Sequence, residues 1–77
     1  MTHTSPAPNA FAITPGAGLL VHETRGIYVG TGGDVEVITA GGHTVVFANA
    51  VAGSVIPVMA IKVLAGNTTA DDLVGLY

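Results

Sequence analysis

Apolar and polar side chains alternate along much of this chain, and glycine or proline breaks the alternation at short intervals. A period of two places successive side chains on opposite faces of a strand. Phe11-Ala12-Ile13-Thr14 has that rhythm and stops at Pro15-Gly16, which predicts a short strand and a turn. Gly26-Ile27-Tyr28-Val29 is β-branched and aromatic and predicts a second strand, ending in Gly30-Thr31-Gly32-Gly33. Asp34 to Thr39 alternates most cleanly, with Val35 and Val37 on one face and Glu36 on the other. Gly41-Gly42 then punctuates, and His43 to Ala48 is expected as the hairpin partner. With such short connections, these three strands are expected to form an antiparallel meander. Gly18 to Thr24 is open to two readings, a strand or an apolar loop built on Leu19, Leu20 and Val21.

The stretch Ser54 to Ala65, SVIPVMAIKVLA, is apolar on both faces apart from Lys62. A helix capped by Ser54 is conceivable, but Val55, Ile56, Val58, Ile61 and Val63 are β-branched and favour extended chain. The expectation is one long strand, bent or bulged at Pro57, whose missing N–H confines it to an edge or bulge. Gly66-Asn67-Thr68-Thr69 turns the chain into a last strand, Leu73 to Tyr77. The fold class is therefore all-β: an antiparallel sandwich or barrel of about six strands spanning residues 11–77 as one domain. Residues 1–10, with Pro6 and Pro8 among small polar side chains, read as an extended N-terminal arm.

Charge changes the picture. Only 9% of the 77 residues are charged, while 49% are apolar. A lone chain of this mass exposes about 4,300 Å², and Glu23, Arg25, Asp34, Glu36, Lys62, Asp71 and Asp72 are too few to hydrate it well. With no cysteine there is no disulfide to stabilise so small a core, which leaves self-assembly as the expected source of stability. The apolar run Val55 to Leu64, with Leu19 and Leu20, is expected to carry the contacts. The candidate subunit interface is thus Val55, Ile56, Val58, Ala60, Leu19 and Leu20.

Two basic side chains and a net charge of -3 cannot neutralise a phosphate track or hold an anionic bilayer, so neither nucleic acid nor membrane is an expected partner. The N-terminus has neither a basic region nor a following apolar run, and no secretory signal is expected. Gly30-Thr31-Gly32-Gly33 reads as a turn before a strand and not as a phosphate cradle, which needs a following helix. His3, His22 and His43 lack ligand spacing, Asp71-Asp72 lacks a calcium-loop frame, and Ser54 lacks a nucleophile elbow. No catalysis, metal or cofactor is expected. The aromatics Phe11, Tyr28, Phe47 and Tyr77 are assigned to the core.

The ordered segments Ile13-Thr14-Pro15, Arg25 to Val35, Val45 to Asn49, Gly53 to Val58, Val63 to Ala70 and Leu76-Tyr77 together resemble the head spike base proteins of gene transfer agents and tailed bacteriophages. The resemblance covers Phe11 to Tyr77. It implies a non-enzymatic virion protein, made in the bacterial host cytoplasm. It would form a homopentamer on the major capsid protein at five-fold vertices and carry a spike or fibre outward. Gly16 to Thr24, GAGLLVHET, departs from the more polar segment expected of that family and reads as an added subunit contact. The rival expectations are a trimeric head-decoration protein at three-fold sites and a monomeric ligand-binding β-module.

Overall fold

Val35 and Val37, the inward half of the cleanest alternation, are fully buried at the centre of one sheet in the computed structural model, which describes residues 7–16 and 18–77. Seven strands form: β1 Ala10–Ile13, β2 Gly26–Thr31, β3 Gly33–Thr39, β4 Thr44–Ala50, β5 Val55–Ile56, β6 Ala60–Leu64 and β7 Asp71–Leu76. They make two antiparallel sheets, one ordered β1-β7-β2-β5 and the other β4-β3-β6. Ile27, Val29 and Leu73 from the first sheet meet Val35, Val37 and Val63 from the second in one core. The sandwich class and the β3–β4 hairpin hold as expected. Residues 1–6 of the expected arm, with His3, lie outside the described residues, and Ala10 already belongs to β1.

The meander does not form. β2 pairs with β7 and β5, whereas β3 pairs with β4 and β6. The glycine run that reads as a hairpin turn instead carries the chain from one sheet to the other, with Gly32 alone between β2 and β3. The expected long strand also divides. Val55–Ile56 joins the first sheet and Ala60–Leu64 the second, and residues 57–59 cross the end of the sandwich between them. β5 stops before Pro57, whose ring fixes φ where the chain leaves the first sheet. An apolar run with two apolar faces is thus satisfied by giving each half to a different sheet, not by burying one strand between layers.

Gly18 to Thr24 is a loop. It runs beside β6, where Gly16 N–H donates to the Val63 carbonyl at 2.8 Å, Leu20 to Ile61 at 2.8 Å and Thr24 to Ala60 at 3.1 Å. That lacing covers the outer edge of β6, which would otherwise expose a row of unpaired backbone groups.

Candidate assembly surface

Of the six residues expected to make contacts, two are inside the molecule. Ala60 is fully buried and Ile56 is 7% exposed, both in the core cluster. Ile56 sits opposite Ile27 and faces inward, so its side chain is taken up by the chain's own packing. Leu20 and Val58 are half-buried against that core. Val55 and Leu19 remain solvent-facing, at 50% and 70% exposure.

The register exposes a surface that reading one strand at a time misses. In the first sheet Ala12 lies opposite Val74, Val74 opposite Tyr28, and Tyr28 opposite Val55, a row crossing all four strands. Ala10, Leu76 and Gly26 make the next row on the same side. Neither row contains a charged side chain. The outer face of the second sheet differs: Glu36 lies between Val46 and Leu64, and Ile38 between Thr44 and Lys62. Glu36 there accepts a hydrogen bond from Asn67 Nδ2 at 3.1 Å. Asp72, beside Gly30, brings one carboxylate to the end of the first face, so that face is apolar across two rows while the other is mixed throughout.

Tyr28 therefore departs from the expected core role, being 40% exposed on the apolar face. Tyr77 instead stacks on His22, ring centroids 3.9 Å apart, and Phe11 meets both rings edge-on at 5.6 and 6.0 Å. This cluster pins the 18–24 loop and the end of the chain to β1. Beside it, a groove of about 270 Å³ runs between Phe11–Thr14 and the loop, with Leu19 and Val21 on its wall.

No group of three or more metal-ligating side chains gathers among the described residues. Asp34, one of the few charged groups, is structural. Its backbone carbonyl accepts from Thr69 and Ala70, and its carboxylate accepts from the N–H of Asn49 at 2.9 Å.

No family model matches the chain, and no curated protein matches it. Among solved structures, a chain of the "Capsid of native GTA particle computed with C5 symmetry" superimposes with a TM-score of 0.85 and 36% sequence identity. The match covers 95% of this chain and 86% of that one. The chain belongs to the capsid-associated proteins of gene transfer agents. A structural role in a virion-like particle follows, and a capsid-associated protein works through contact surfaces. Its apolar sheet face, its open strand edges and the groove along β1 are then the parts of the molecule to weigh.

Proposed function

We propose that this protein forms a homopentameric base at the five-fold vertices of a phage-like capsid, resting on the major capsid protein and anchoring a spike or fibre. The observation that carries this reading is the 36% identity, over 95% of the chain, to a component of a capsid computed with C5 symmetry. Five-fold symmetry applied to a whole particle is shared by all its components, so the match supports a place on the capsid, and the vertex position is our reading. The two unlike faces suit the same role. An apolar face needs cover from a neighbour, and a mixed face tolerates water.

Native mass spectrometry of the purified chain, together with its copy number per particle, tests the proposal. Complexes of five subunits and particle counts in multiples of five per vertex are expected. Complexes of three, with the abundance of three-fold sites, would replace this reading with a head-decoration role. A single subunit, absent from particles, would return the chain to the ligand-binding alternative.

A further inference from the structure

Each sheet of the sandwich leaves one strand edge open. In the second sheet β6 is laced by Gly16, Leu20 and Thr24, which leaves β4. In the first sheet β5 is two residues long and stops at Pro57, which leaves β1. The pairing pattern fixes which groups are free. Thr39 N–H donates to the His43 carbonyl, so Val45 and Phe47 bond inward to β3, and the N–H and C=O groups of Thr44 and Val46 point outward. Tyr77 N–H donates to the Asn9 carbonyl, which by the same alternation turns the backbone groups of Ala10 and Ala12 outward.

Neither edge carries a charge or a proline, and the irregularity at Asn49 lies beyond Thr44 to Phe47, the part of β4 that would pair. No charged residue occurs between Glu36 and Lys62, a span that includes all of β4, and β1 reads Ala-Phe-Ala-Ile. Natural edge strands normally carry lysine, proline or a bulge that turns pairing away, and a long apolar edge without them is a template for another strand. Exposed apolar side chains flank both. Leu19 and Val21 stand beside β1 at 70% and 80% exposure, and Val46 and Val51 beside β4 at 42% and 70%.

The two edges are also on opposite flanks. The loop after β1 reaches the edge of β6, placing β1 above β6, while Val29 bonds to Gly53 and Ser54 in the turn after β4, placing β4 beside β5. A ring needs two different patches on each copy, turned away from each other. Resting on the oligomeric reading given under Proposed function, we infer that neighbouring copies join by strand addition, β4 of one copy seating along β1 of the next. The occupant is a second copy because the chain supplies both halves of the contact, uncharged and extended, one on each side. Pairing a few residues covers less than the ~800 Å² per partner of a standard interface. The flanking Leu19, Val21 and Val51 supply the remainder.

Ala12→Pro and Val46→Pro test this directly. Each removes one outward-pointing N–H that makes no bond within its own sheet, a position where an edge strand accepts proline. Each variant is expected to keep its circular dichroism spectrum and to run as a monomer in light scattering, with the wild-type oligomer lost. Mixed together they should give a one-to-one dimer and nothing larger, since A12P keeps its β4 edge and V46P its β1 edge. Should either proline variant unfold, Ala12→Lys and Val46→Lys, which set a charge on the same edges, take their place.

Folded variants that stay oligomeric, or a mixture that yields no dimer, overturn edge pairing and leave the pentamer reading intact. A wild-type trimer dissociated by the same variants does the reverse, because edge pairing then closes at three. A wild-type chain monomeric at all concentrations removes both.

Discussion

Thr24 and Ala60 are joined twice: the Thr24 N–H donates to the Ala60 carbonyl at 3.1 Å, and the Ala60 N–H donates to the Thr24 hydroxyl at 3.0 Å. The hydroxyl donates onward to the Val58 carbonyl at 2.8 Å. Thr24 is fully buried, so these bonds are made out of reach of water. They hold the 57–59 crossover against the start of β2, at the point where the chain changes sheets.

Thr24→Val keeps the shape and removes both side-chain bonds, stranding a buried carbonyl and a buried N–H. At about 1–3 kcal/mol for each unsatisfied group, a loss of about 2–6 kcal/mol is expected in urea titration. Thr24→Ser, which keeps the hydroxyl, should cost about 1 kcal/mol for the lost methyl. Equal losses in the two variants would mean that the hydroxyl contributes nothing.

Adjacent residues on opposite faces give a sharper contrast. Ile56→Asp places a charge in the core with no partner and should unfold the chain, with a cost above about 3 kcal/mol. Val55→Asp places it on the outer face, where water reaches it, and should change the melting temperature by no more than a few degrees. Incorporation of V55D into particles is nevertheless expected to fall. Full incorporation would show that the apolar sheet face touches nothing.

Two glycines allow close approach, to different kinds of neighbour. A Cβ at Gly30 would lie 2.5 Å from the Asp72 Cβ and 2.6 Å from its carbonyl oxygen, part of a backbone that cannot move aside. A Cβ at Gly75 would meet Phe11 Cε1 and Cζ at 2.5 and 2.6 Å, the tip of a ring that can rotate. Gly30→Ala should therefore cost about 3 kcal/mol or more, and Gly75→Ala nearer 1 kcal/mol. Thermal denaturation giving the reverse order would contradict this geometry.

Asn49 adopts φ 57°, at the irregularity where the β3–β4 register shifts. Its N–H, held by the Asp34 carboxylate, is kept by any residue other than proline. Asn49→Gly is expected to be neutral within about 0.5 kcal/mol and Asn49→Val to cost about 1–2 kcal/mol. A stable valine variant would indicate that the register has slipped.

Much of this fold is legible in the sequence because its strands are short β-branched runs bounded by glycine. The positions of β1, β2, β3, β4 and β7 follow from period and punctuation alone. Partner choice does not. The run from Ser54 to Ala65 carries the same apolar pattern whether it bends within one sheet or passes between two, and Pro57 marks an interruption without giving its direction. For that reason Ile56 and Ala60 read as contact residues, although packing between the two sheets covers both from within the chain. Thr24 gave no signal, since a lone threonine in a polar-flanked loop has no period to betray burial. The apolar outer face escaped for a related reason. Ala12, Val74, Tyr28 and Val55 come from four separate segments and become neighbours only through register.

The contrast between the two sheet exteriors has a consequence for how this molecule can lie. With Lys62 and Glu36 on one side and the Tyr28 row on the other, turning a copy over exchanges a wettable exterior for a greasy one. A tile with two similar sides settles on a shell either way up and yields a patchwork. This one has a top and an underside written into its pleat, and in the assembly we propose each copy would repeat the orientation of the last.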